Sequence, residues 1–198
     1  MIQPSLPLIL ASGSPRRKEI LDMMGLAYTV DVPDADETFF SRRPAEAVIE
    51  LSSRKASRVA QRHACALVLA ADTLVSGETV LGKPGTPERA KEMLRELSGN
   101  WHSVYTGLTL LNTKTGRVIR GIDRTRVHFV PMSEEDIEEY VATGEPLDKA
   151  GAYGIQGRGG MYIDRIDGSP SNVMGLPMAV LRRMMMEMNG AERNAEGI

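Results

Sequence analysis

Cysteine is nearly absent from this 198-residue chain: the one thiol, Cys65, has no partner for an internal disulfide. It sits in the apolar stretch 64–69, so a buried thiol in a reducing compartment is expected. Long hydrophobic runs are also missing. The apolar patch at 6–11 is interrupted by Pro7 and preceded by no basic residue, so neither a signal peptide nor a membrane span is expected, and the reading is a cytoplasmic protein. Nor is there an excess of charge of one sign. Lys and Arg number 24 against 26 Asp and Glu, a net charge of -2, which argues against stable nucleic-acid or membrane binding. Histidine is scarce, and His63, His102 and His128 share no ligand spacing; they read as structural or surface residues.

What is present is an ordinary globular composition, 42% hydrophobic and 25% charged. No internal repeat or long linker divides it, so residues 1–198 are expected to form one domain, with room for two lobes, and 190–198 a loose tail. The most informative stretch comes early. Leu8-Ile9-Leu10-Ala11 reads as a buried strand running through Ser12-Gly13 into a helix capped by Ser14 and opened by Pro15. Arg16 and Arg17 fall in the first turn, where the helix dipole disfavours cations. A phosphate held by backbone N–H groups, Ser12, Ser14 and the two guanidinium groups resolves that conflict. An ordinary strand-to-helix turn with two solvated arginines accounts for these residues equally well.

Further along, a helix is expected from Pro44 to about His63, with Val48, Leu51 and Val59 inward. Lys55 is one turn beyond Leu51, either snorkelling or aimed into a site. Residues 67–71 read as a strand buried on both faces and ending in Asp72-Thr73, a position where open α/β sheets bind ligands. An ionised Asp72 after five apolar residues needs a partner or a metal. A hairpin is expected over 74–81, helices from Pro87 and Ser133, a long hairpin joined at 112–116, and a last helix from near Leu176. The fold class is α/β, with a mixed twisted sheet flanked by helices.

Several local patterns carry chemistry with an alternative beside each. Gly77-x-x-x-x-Gly82-Lys83 has P-loop spacing, but Pro84 stands where that loop needs Ser or Thr, so Lys83 is a phosphate contact by another route or a solvated lysine. Asp34, Asp36 and Glu37 form an acidic loop, a solvated turn unless gathered at a phosphate site, where Mg²⁺ or Mn²⁺ would suit them. The glycines of 151–160 allow close backbone approach to a ligand. Gln156 among them has the donor and acceptor to read a base edge. A glycine-rich surface loop explains the same residues.

Taken in order, Ser12-Gly13-Ser14-Pro15-Arg16-Arg17, Asp36-Glu37, Ser53-Arg54-Lys55-Ala56, Ala70-Ala71-Asp72-Thr73, Gly82-Lys83-Pro84, the run 144–157 and Asn172-Val173-Met174-Gly175-Leu176-Pro177 resemble the Maf family of nucleoside triphosphate pyrophosphatases. The resemblance covers nearly the whole chain. It implies a fold like that of inosine triphosphate pyrophosphatase, two lobes with a central substrate cleft, and hydrolysis of a nucleoside triphosphate to its monophosphate plus pyrophosphate. It further implies that Asp72 is the proton acceptor, with Lys55 and Lys83 in the catalytic set. Ser12, Ser14 and Arg17 would hold phosphates, and Glu37 with Asp72 a divalent metal, Mg²⁺ or Mn²⁺. Arg16, Thr73 and Gln156 match positions linked to the choice of base. The Gly-Ala-Tyr-Gly-Ile-Gln-Gly loop looks like the branch acting on dTTP and UTP, modified pyrimidine nucleotides included, with 7-methylguanosine triphosphate hydrolysis and non-catalytic regulation of cell division as the alternatives. A homodimer is implied as well. Pro170 departs from the pattern, where an aromatic residue is usual.

Overall fold

The structure, a computed structural model, describes residues 3–35, 38, 41 and 43–195, with side chains as far as 190. Strand β1 (Leu8–Leu10) feeds helix α1 (Pro15–Met23) and the short β2 (Thr29–Val30). Helix α2 (Pro44–Ala60) leads to β3 (Leu67–Ser76) and β4 (Val80–Leu81). After α3 (Pro87–Leu97) come two long strands, β5 (Trp101–Asn112) and β6 (Val118–Phe129), and then α4 (Glu134–Ala142). Three short 3-10 turns precede β7 (Ile163–Asp167), α5 (Pro170–Val173) and α6 (Met178–Ala195). Among the described residues the strands make one seven-stranded mixed sheet in the order β2-β1-β3-β5-β6-β7, with β4 paired to β3. The α/β class with a mixed, helix-flanked sheet is therefore as expected from the sequence.

Two compact units divide the chain: Met1–Asp72, Thr106–Asp123 and Gly175–Ile198 form the first, Thr73–Tyr105 and Arg124–Met174 the second. In the first unit β1 pairs in parallel with both β2 and β3, Leu10 standing opposite Val30 and Leu69. Strand alternation puts Ile9, Ala11, Val68 and Ala70 on one face, where they pack beneath Ala56 and Val59 of α2. Gly107 continues this contact on β5. A Cβ there would lie 2.6 Å from the Val48 carbonyl carbon and oxygen and 2.9 Å from the Ile49 nitrogen, so only glycine lets the helix backbone settle on the strand. On β6, Arg120 reaches Ser53 of α2 (3.0 Å). The next residue, Gly121, faces Val180 and Met184 of α6, so α2 and α6 cover opposite faces.

The second unit has its own core, in which Leu94 and Leu97 of α3, Ile137 and Tyr140 of α4, Val127 and Phe129 of β6 and Tyr153 come together. Helix α4 opens on a capping box in which the Ser133 hydroxyl accepts from Asp136 N–H while the Asp136 carboxylate accepts from Ser133 N–H. Gly144 ends this helix region at φ +75, the left-handed conformation its position requires.

Three expectations are corrected. Strand β3 does not end at Ala71 but runs five residues further, since Thr73 and Val75 are themselves good strand formers and Val75 and Ser76 pair with β4. Cys65 is exposed, because it lies in the bend before β3 rather than inside the strand. The last helix starts at Met178, after a separate turn of helix, α5, that the sequence reading did not separate.

Candidate active site

The helix start that looked like an anion site is built within the first unit. Ser14 is the N-cap of α1 in extended conformation, yet its side chain makes no capping bond. The nearby hydroxyl is that of Ser12, which accepts from Ser14 N–H (3.2 Å) and from the Arg17 guanidinium through Nη1 (2.9 Å). Arg17 also donates through Nε to the carbonyl of Gly175 (2.9 Å), tying the start of α1 to the segment that precedes α6. Arg16 is half-buried in the same turn and Ser12 is buried. The cation that the helix dipole disfavours is thus stabilised in part by a carbonyl and a hydroxyl.

Asp72 and Lys55 meet on the face of the sheet that α2 covers. Strand alternation aligns Asp72 with Val68 and Ala70, while Leu51, Lys55 and Val59 follow one another at four-residue spacing down the buried side of α2. Lys55 Nζ donates to Asp72 Oδ1, and both residues are 8% exposed. The sequence left Lys55 between snorkelling and aiming into a site; it is aimed inward. The parallel register Leu10 to Leu69, extended by the bond from Ala11 N–H to Leu69 O (2.8 Å), carries Ser12 alongside the Ala71–Asp72 step. In the order β2-β1-β3, the strands that flank β1 are reached by connections running opposite ways. The Ser12 loop and the Lys55–Asp72 pair accordingly occupy the β1/β3 switch point, where α/β sheets open a ligand crevice.

In the second unit, Thr73 is half-buried and Lys83 exposed, between Gly82 and a buried Pro84. The Gly82 carbonyl accepts from Gly151 N–H (3.1 Å), which joins the Lys83 loop to the glycine-rich segment. Gln156 stands exposed at the turn of that segment. The glycines here serve a purpose the sequence did not reveal: they admit this protein's own side chains. A Cβ on Gly154 would lie 2.8 Å from Lys149 Cε, on Gly157 2.3 Å from Glu145 Oε1, and on Gly159 2.4 Å from the Tyr140 hydroxyl.

Glu145 and Tyr140 were not singled out by sequence reasoning, nor was the buried pair His102 and Tyr153, whose Nε2 and hydroxyl are 2.8 Å apart beneath the loop. Burial raises the Glu145 carboxyl, but hydrogen bonds from Arg158 N–H, the Tyr140 hydroxyl and Gly159 N–H, with the charge of Lys149, more than reverse this and leave it below its ordinary value. For His102, burial prevails and pushes the imidazole down to about 4. The remaining histidines have structural partners: His63 bonds Asp31 (2.8 Å) and His128 bonds Asp164 (2.5 Å).

Asp36 and Glu37 lie outside the described residues, and Asp34 is exposed. Among the described residues no three His, Cys, Asp or Glu side chains gather as a metal site. The Asp72 carboxylate supplies hard oxygen donors, the ligand type that Mg²⁺ and Mn²⁺ take. No helix among the described residues is long and apolar enough to cross a membrane.

Known proteins match this chain along nearly its whole length. The structure of the Staphylococcus aureus Ham1 protein superimposes with a TM-score of 0.55, covering 93% of this chain and 99% of its own at 12% identity, a likeness of fold. A protein of Bacillus cytotoxicus named dTTP/UTP pyrophosphatase is 44% identical over 189 residues, 94% of this chain and 98% of its own. One of the same name from Bacillus mycoides is 44% identical over 184 residues, 92% and 95% of the respective chains. With Maf-like protein as the family matched over residues 7–188, a span that takes in the Ser12 loop, the Lys55–Asp72 pair and the glycine-rich segment, the chain belongs to the Maf family.

Proposed function

We propose that this protein hydrolyses dTTP and UTP to the monophosphate and pyrophosphate. The observation that carries the reading is the buried Lys55–Asp72 pair at the β1/β3 switch point, beside a helix start able to hold phosphate. The relatives named dTTP/UTP pyrophosphatase support the choice of substrate. In the reaction Asp72 accepts a proton from a water whose oxygen bonds to the α-phosphorus. The bond from the α-phosphorus to the bridging oxygen breaks, and pyrophosphate leaves with that oxygen. Lys55 orients the carboxylate through Oδ1 and adds positive charge where negative charge gathers.

Ser12, Ser14, Arg17 and Lys83 are assigned to the phosphates, and Arg16, Thr73 and Gln156 to the base. A divalent metal, Mg²⁺ or Mn²⁺, is assigned to Asp72 together with Glu37, where it would neutralise phosphate charge. A cytoplasmic homodimer completes the proposal.

Pyrophosphate release from a panel of common and modified nucleoside triphosphates, with Mg²⁺, Mn²⁺ or chelator, tests it. Turnover of dTTP and UTP that needs the metal and disappears in Asp72→Asn is expected. Preference for 7-methylguanosine triphosphate would overturn the pyrimidine assignment alone. Binding without turnover of any nucleotide would overturn the enzyme and leave a nucleotide-binding regulator.

A further inference from the structure

Glu145 receives an unusual number of hydrogen bonds for a half-buried surface carboxylate. Arg158 N–H (2.9 Å) donates to one oxygen, and Gly159 N–H (3.2 Å) and the Tyr140 hydroxyl (2.8 Å) donate to the other. Tyr140 in turn accepts from Gly154 N–H (3.2 Å). The residue is held at its own end as well, since Lys149 Nζ donates to the Glu145 carbonyl (2.6 Å). One carboxylate therefore gathers the backbone from both sides of the turn that carries Gln156: residue 154 through Tyr140, residues 158 and 159 directly. Gly157 closes against the same group, its missing Cβ leaving the space the carboxylate fills.

We infer that Glu145 is the positioning residue for Gln156: by clamping the backbone of 154–159 it fixes the place from which Gln156 meets the base of the nucleotide. The inference rests on the proposed function, and it extends that reading to a residue that acts through another. A glutamine at 145 keeps one acceptor but turns an N–H₂ toward donors, so the clamp opens without a large change in volume. Gly157→Ala does the same from the other side, pushing the carboxylate aside while leaving Glu145 in the chain.

The test is a double-mutant cycle with Gln156→Ala, reading kcat and KM for dTTP and for dCTP, which differ at the base edge. Glu145→Gln should cut kcat/KM for dTTP about tenfold, mainly through KM, and lower the preference for dTTP over dCTP. Added to Gln156→Ala it should cost less than about twofold more, since both changes remove the same contact. Gly157→Ala should reproduce the loss, and it carries the cycle alone if Glu145→Gln fails to fold. Losses that multiply in the double variant, or that fall equally on dTTP and dCTP, would overturn the inference. Amide hydrogen exchange over 154–159 gives a readout independent of activity. Faster exchange in both variants is expected, and unchanged exchange overturns the clamp even if the unaltered protein hydrolyses no nucleotide, an outcome that would instead defeat the proposed function.

Discussion

Separating the stability of the Lys55–Asp72 pair from its chemistry takes three variants: Lys55→Met, Asp72→Asn and the two combined. The side chains are only 10% and 12% exposed, so each charge depends on partners within the protein, the other member of the pair among them. Lys55→Met leaves the carboxylate buried without its cation, a loss of about 3–5 kcal/mol by comparison with other buried pairs. For a chain of this size that is a fall in Tm of about 6–20 °C. Asp72→Asn keeps an oxygen that can accept from Nζ, so its cost is smaller, about 1.5–3 kcal/mol. In the double variant no charge is left to desolvate, and the two losses should fall short of their sum by about 2–3 kcal/mol. Activity should follow a different pattern. Removing the water-activating carboxylate lowers kcat by about 10²–10⁴, and restoring stability in the double variant should recover none of it. Urea unfolding and pyrophosphate release, both at a temperature where every variant is folded by circular dichroism, measure the two effects. Stability losses that add within about 0.5 kcal/mol would refute the buried pair. A folded Asp72→Asn with more than a tenth of the original kcat would refute the base.

Two further outcomes follow from single residues. His102 is pushed by burial from 6.5 to about 4 in the folded protein, so between those values the unfolded chain binds more protons and stability falls as pH falls. Its contribution is complete above about pH 6.5; urea unfolding at pH 7.5 and 4.5 should show a decrease of which about 2–3 kcal/mol is absent in His102→Gln, and an unchanged decrease would contradict it. Gly107→Ala places a methyl group against the backbone of α2 at Val48 and Ile49, which cannot yield as a side-chain tip would. A loss of at least about 1–3 kcal/mol is expected, seen as a fall in Tm of about 2–12 °C by calorimetry, whereas a neutral result would mean that α2 does not rest on β5 as described.

Local signals in the chain were strong where one residue type answers one local need. Thr86-Pro87 and Ser133 with Asp136 each open a helix with the cap the sequence places there, because caps depend on neighbours three residues away; Ser14-Pro15 also opens its helix in place, though the Ser14 side chain makes no capping bond. The inward face of α2 was legible from its helical spacing, whereas the direction of Lys55 stayed open between snorkelling and aiming into a site. Less legible were the ends of strands: Asp72 lies in the middle of β3, since its continuation depends on pairing with β4 rather than on the residues of 67–71. Cys65 was misplaced by apolar neighbours that belong partly to a bend.

By itself the sequence determined the α/β class, most of the helix starts and, through several ordered motifs that carry the candidate residues, the family. Only the tertiary structure decided what those residues meet. Lys55 and Asp72 are 17 residues apart, and Arg17 and Gly175 are 158 apart; no local pattern records a contact closed by helix-on-sheet packing. The glycines of 151–160 make the point most clearly. Their number is plain in the sequence, but that Gly154, Gly157 and Gly159 make room for Lys149, Glu145 and Tyr140 is a matter of distances between segments, set when the turn folds back on α4 and the chain that follows it.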